Sequence, residues 1–128
     1  MAEPEHHVIP LGEGKTARRI AVKLRRGKSP TIVWLGGFKS DMAGTKATRL
    51  DAWAEAHGRA CVLFDYSGHG ESTGAFEDGT IGQWLEDAAE VVASHAGQSP
   101  LLVGSSMGGW IASLLALRMN VAGHAPHG

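Results

Sequence analysis

Cysteine is nearly absent from this 128-residue chain: Cys61 is the single one. No internal disulfide can therefore staple the fold, and a reducing compartment suits such a composition. Charge of one sign is also missing, since 12 Lys and Arg stand against 13 Asp and Glu, a formal net charge of −1. Without a basic surplus there is no electrostatic footprint for nucleic acid or for an anionic membrane surface. No apolar run approaches the roughly 18 residues of a membrane span. Residues 1–10 carry Glu3, Glu5, His6 and His7 and resemble neither a secretory signal nor an arginine-rich transit peptide. These absences leave one soluble, cytoplasmic domain as the expectation.

What is present fits that expectation. Apolar residues make up 43% and charged residues 20%, the balance of a folded chain. Glycine is abundant, with 18 residues, about twice ordinary usage, which points to tight turns and close backbone approaches.

Ile20, Val22 and Leu24 alternate with smaller or polar neighbours and predict a half-buried strand. Residues 25–30 read as a turn. Residues 31–35 and 60–64 are continuous apolar runs, as expected of strands covered on both faces. Between them Leu50, Trp53, Ala54 and His57 recur at helical spacing before Gly58. Thr80-Ile81-Gly82-Gln83 has the form of a capping box, opening a helix whose apolar stripe runs through Ile81, Trp84, Leu85, Ala88, Ala89 and Val92. Residues 101–103 form a third buried strand and residues 107–118 a last helix. Buried strands alternating with helices predict an α/β fold: a mostly parallel sheet with helices on both faces. Ligands in such sheets sit beyond the carboxyl ends of the strands, where the glycine-rich stretches at 36–37, 67–79 and 104–109 all fall. The four tryptophans are read as core packing.

Gly104-Ser105-Ser106-Met107-Gly108 matches G-x-S-x-G between a buried strand and an amphipathic helix. Serine chemistry needs a sharp strand-to-helix turn, so that the hydroxyl stands clear and helix amides face a developing oxyanion. Ser106 is the candidate nucleophile, and an ordinary glycine-rich turn is the plain alternative. Gly36-Gly37-Phe38 ends an earlier strand where a second oxyanion donor belongs, so the amides of Phe38 and Met107 are the candidate oxyanion hole. Gly36, Gly37, Gly104 and Gly108 support it. Gly70-Glu71-Ser72-Thr73-Gly74 fits the same pattern, but no helix follows directly, and Ser72 is read as a turn residue. His69 precedes the serine, against the chain order of such enzymes, and is assigned a structural role. Asp65 is expected to cap loop amides. Gly14-Lys15-Thr16 ends like a phosphate-binding loop but lacks its leading glycine, with Ile9 in that place. His6, His7, His124 and His127 have no ligand partners at metal-binding spacing and are expected on exposed tails. Neither a metal nor a cofactor is expected.

Residues 34–38, 64–72 (Phe-Asp-Tyr-Ser-Gly-His-Gly-Glu-Ser) and 104–110 (Gly-Ser-Ser-Met-Gly-Gly-Trp) together resemble the α/β-hydrolases. Within them the likeness is to the palmitoyl-protein thioesterase and acyl-glucuronide esterase subgroup and its bacterial relatives. It spans about residues 18–121 and implies a serine hydrolase of carboxylic esters or thioesters, acting on a small-molecule acyl substrate through an acyl-enzyme on Ser106. A dehalogenase of the same fold would want a carboxylate at that position.

The resemblance also implies an acid and a histidine on later strands. None of residues 107–128 is Asp or Glu, and His124 and His127 lie in a tail without strand patterning. The expectation is a single incomplete hydrolase domain, with a polar lead-in over 1–16, a core over 17–121 and a tail over 122–128. The rival reading is a non-catalytic fragment, or a half-domain needing another chain. In either case the family's strand order leaves 101–103 as an apolar sheet edge able to pair with a second chain, and leaves Trp110 or Leu114 partly bare.

Overall fold

Four of the five strands run in one direction, and the exception, β2, is the one flanked by antiparallel neighbours. The computed structural model describes residues 3–128. The strands are β1 (Glu5–Leu11), β2 (Arg18–Arg25), β3 (Lys28–Leu35), β4 (Arg59–Phe64) and β5 (Leu101–Gly104), ordered β1-β2-β4-β3-β5 across the sheet. β1 and β4 pair antiparallel with β2, whereas β3 pairs in parallel with both β4 and β5. The helices are α1 (Thr45–Ala56), α2 (Ile81–His95) and α3 (Met107–Val121).

The continuous apolar runs exist because both faces of β3 and β4 are covered. Val33 and Leu35, with Val62 and Phe64, pack under α2 and α3 against Trp84, Val91, Ile111 and Leu115. Their alternates Ile32, Trp34, Cys61 and Leu63 face α1, where Ala47 and Ala54 let the helix approach closely. Each such aliphatic side chain contributes about 1.5–3 kcal/mol by burial. Cys61 lies inside this second layer, and burial pushes its thiol up to about 12. Arg25 pins α1 to β2, gripping Asp51 with two bonds of 2.8 Å and Glu55 with one of 3.0 Å.

Several expectations need correction. Part of the polar lead-in is strand β1: it is an edge strand in which Ile9 alone is fully buried, so its regularity comes from backbone pairing with β2 rather than from an apolar pattern. Lys28 to Pro30 belong to β3 and not to a turn. Trp34 and Trp84 are core residues, but Trp53 is 49% exposed, and Trp110, at 58%, is not core packing but bare on the last helix, as the sheet-edge argument expected of Trp110 or Leu114. Trp110, Leu117 and Val121 form an apolar stripe on α3, opposite the buried Ile111 and Leu115. The last helix runs to Val121, three residues beyond the expected end.

The tail returns to the sheet. The Leu102 amide donates to the Gly128 carbonyl and the His127 amide to the Pro100 carbonyl, both at 2.8 Å. The edge of β5 is thus covered at two points, and among the described residues no strand covers the rest of it. His7 is also not in a free tail: it bonds Glu5 at 3.1 Å and its ring lies 4.8 Å from that of His95.

Candidate active site

Ser106 occupies a backbone position that few residues adopt, with φ 56° and ψ −121°. Such conformations persist only where surroundings enforce them, and here the enforcement is close packing between β3, β5 and α3. A Cβ on Gly108 would lie 1.9 Å from the Leu35 carbonyl oxygen, and one on Gly104 would lie 2.4 Å from that of Gly108. The two glycines flanking the serine are what let α3 begin directly against the sheet. Ser106 is exposed at the helix start, and its hydroxyl makes no hydrogen bond among the described residues.

The end of β3 meets this turn. The Ser105 amide donates to the Leu35 carbonyl at 3.2 Å, and a Cβ on Gly37 would lie 3.5 Å from that of Ser106. Gly36 and Gly37 are buried, and the Tyr66 hydroxyl donates to the Gly36 carbonyl at 3.2 Å. The chain then turns over residues 37–40, closed by a 3.1 Å bond from the Ser40 amide to the Gly37 carbonyl. Neither the Phe38 nor the Met107 amide has a hydrogen-bond partner among the described residues. Two free backbone donors therefore belong to the segments flanking Ser106. A cleft of about 330 Å³ opens there, lined by Trp34, Gly37, Phe38, Lys46, Ser105 and Ser106. The Lys46 ammonium donates to the Ser105 hydroxyl at 3.0 Å.

Residues 65–72 form a polar knot beside the site. Asp65 is buried and accepts from the amides of Met42 and Glu71, at 2.8 and 2.9 Å. Burial pushes its carboxyl up, and these two amide bonds oppose the rise. Ser72 donates to the Asp65 carbonyl at 2.6 Å and accepts from the Ala21 amide at 2.9 Å, so its hydroxyl is committed to structure. Asp87 is fully buried, accepting from Arg18 Nε at 2.7 Å and from the Ser67 amide at 2.8 Å.

The pattern reading missed Asp87, Tyr66 and Lys46. Asp87 left a signal: it lies three residues after Trp84 on the apolar face of α2, where a charge must have a partner. Thr80 caps that helix as expected, accepting from the Gln83 amide at 3.1 Å, but the Gln83 side chain goes to Ser67 instead of back to the cap. The late histidines do not approach the serine. His127 pairs beside Pro100, at the amino end of β5, whereas Ser106 follows its carboxyl end. His124 lies between α2 and α3. Among the described residues no three His, Cys, Asp or Glu side chains are grouped to hold a metal.

A sheet of this order, with a strained serine between β5 and α3, defines the α/β-hydrolase class. Residues 32–127 match the profile of the alpha/beta hydrolase family, and the chain belongs to that family. The palmitoyl-protein thioesterase ABHD10, mitochondrial, of Homo sapiens is 42% identical over 92 residues, covering 72% of this chain and 30% of that protein. The Mus musculus protein of that name is 38% identical, covering 72% and 31%. An Agrobacterium vitis S4 crystal structure assigned to the hydrolases superposes with a TM-score of 0.90 at 47% identity, over 94% of this chain and 47% of that one. Mouse alpha/beta hydrolase domain-containing protein 10 superposes with a TM-score of 0.81 at 32% identity, over 89% and 45%. The chain thus spans under half the length of these relatives. No described helix is long and apolar enough to cross a membrane.

Proposed function

We propose that the protein is a serine hydrolase of carboxylic esters or thioesters, with Ser106 as nucleophile. The observation that carries this reading is the positive φ of Ser106 at the start of α3, beside two unpaired backbone amides. The Ser106 oxygen attacks the acyl carbonyl carbon while a base takes the hydroxyl proton. The oxyanion is held by the Phe38 and Met107 amides, the leaving group departs with that proton, and water then releases the acyl group. The base and its acid partner come from outside these 128 residues. The thioesterase name of the mammalian relatives supports acyl chemistry.

Two measurements test this. The isolated chain is expected to turn over p-nitrophenyl acetate only in traces, and Ser106→Ala removes the trace. A turnover on the order of 10 s⁻¹, the enzyme median, lost in Ser106→Ala, would show that the base lies within the chain. Where chain beyond residue 128 supplies the base, a fluorophosphonate is expected to label Ser106 and not Ser72 in peptide mapping. Labelling that persists in Ser106→Ala and disappears in Ser72→Ala would favour the other motif. No Ser106-dependent turnover or labelling at all would favour a non-catalytic half-domain.

Self-association with a second copy belongs to the same proposal. The open part of the β5 edge and the stripe of Trp110, Leu117 and Val121 are surfaces that associate. Light scattering is expected to give a mass above 13.5 kDa. A monodisperse monomer with one steep denaturant transition counts against it.

A further inference from the structure

We propose that His69 is the positioning residue of the oxyanion turn: held in one tautomer, its ring fixes the Lys39 peptide and so sets the neighbouring Phe38 amide. The ring is 4% exposed. Its Nδ1 lies 3.1 Å from the Ser67 carbonyl oxygen, and its Nε2 lies 3.2 Å from the Lys39 amide nitrogen. A carbonyl can only accept and a backbone amide can only donate. The proton therefore resides on Nδ1 and the lone pair on Nε2. With both nitrogens engaged, His69 is a bridge between two backbone segments and not a base.

Both ends of that bridge are firmly built. On one side the ring meets Tyr66, Phe76 and Trp84 edge to face, at 5.6, 5.2 and 5.1 Å. Trp84 Nε1 donates to the same Ser67 carbonyl at 3.1 Å, fixing the atom on which the ring hangs. On the other side Lys39 has φ 60°, a left-handed backbone unusual for a residue with a Cβ. Its amide belongs to the peptide unit directly after Phe38. An acceptor for that amide holds the turn open in the one conformation that leaves the Phe38 amide unpaired. Without it, Lys39 is free to relax out of the left-handed region and rotate the peptide next to Phe38.

The catalytic consequence rests on the Ser106 reading, but the positioning itself can be measured without it. In ¹⁵N-labelled chain a two-bond nitrogen–nitrogen coupling is expected between the Lys39 amide and His69 Nε2. His69→Phe keeps the aromatic packing and removes the acceptor, whereas His69→Gln restores one. In His69→Phe the Lys39 amide is expected to exchange with solvent about tenfold faster or more, while the Met42 and Glu71 amides bound to Asp65 keep their protection. Butylboronic acid, which adds to a serine hydroxyl as a tetrahedral anion, is expected to bind His69→Phe about tenfold more weakly or worse, with recovery in His69→Gln. No coupling in the wild type would overturn the proposal. So would unchanged Lys39 exchange in His69→Phe, or a loss of protection shared by Met42 and Glu71, which would mark general loosening. Boronate binding that survives Ser106→Ala, or no binding by the wild type, counts against the nucleophile alone, and the exchange result then decides on His69.

Discussion

Asp87→Ala is expected to cost about 3–5 kcal/mol of folding stability, a large part of the 5–15 kcal/mol typical of a domain. The carboxylate has no exposed surface and satisfies two donors on two different segments, Arg18 of β2 and the amide of Ser67. Removing it leaves a guanidinium whose side chain is only 7% exposed without a counter-charge. It also leaves a buried N–H without an acceptor. Urea unfolding followed by tryptophan fluorescence measures the loss. Replacing both partners, as in Arg18→Met with Asp87→Leu, should recover part of it, because an absent pair costs less than a broken one. The recovery stays incomplete because the Ser67 amide is still orphaned. A single-variant loss below about 1 kcal/mol, the range of exposed pairs, would show that water reaches this pair.

Gly108→Ala is the second large effect. The added methyl would sit 1.9 Å from the Leu35 carbonyl oxygen and 2.6 Å from that of Gly36, both backbone atoms that cannot swing aside. α3 must then retreat from β3, carrying the Met107 amide and Ser106 out of register with Phe38. The expected cost is about 1–3 kcal/mol of stability or more, with loss of Ser106-dependent labelling. Gly109→Ala is the control one residue on. Its Cβ would meet nothing nearer than the Gly104 carbonyl oxygen at 3.9 Å, so it should be tolerated or stabilise by about 0.4–1 kcal/mol. Equal effects of the two substitutions in denaturant titrations and labelling would refute the argument.

The parallel core was legible because its strands are covered twice. A run such as Ile32-Val33-Trp34-Leu35 sends alternate residues to opposite layers, so every position must be apolar. The serine turn was legible because two of its glycines answer to steric contacts that no other residue escapes. What stayed hidden depends on partners distant in sequence. β1 is held by backbone pairing, which leaves little trace in side-chain pattern. Asp87 reads as a flaw in an apolar face until Arg18, 69 residues away, is placed against it. Trp53 followed helical spacing but lies outward, since periodicity gives a face and not what covers it. For His69 the motif order pointed to a structural role, but nothing in its neighbours in sequence named Lys39 as its partner.

Cys61 gives the molecule a built-in clock. It is the sole thiol of the chain, it sits in the middle strand of the sheet, and its ionisation is displaced to about 12. An alkylating reagent reacts with thiolate, so it finds almost none while β4 stays in place. Each modification event therefore records one excursion in which α1 lifts away or the strand comes free. Under native conditions the rate of thiol capture reads out the opening frequency of the sheet's centre, with no added label and no competing cysteine.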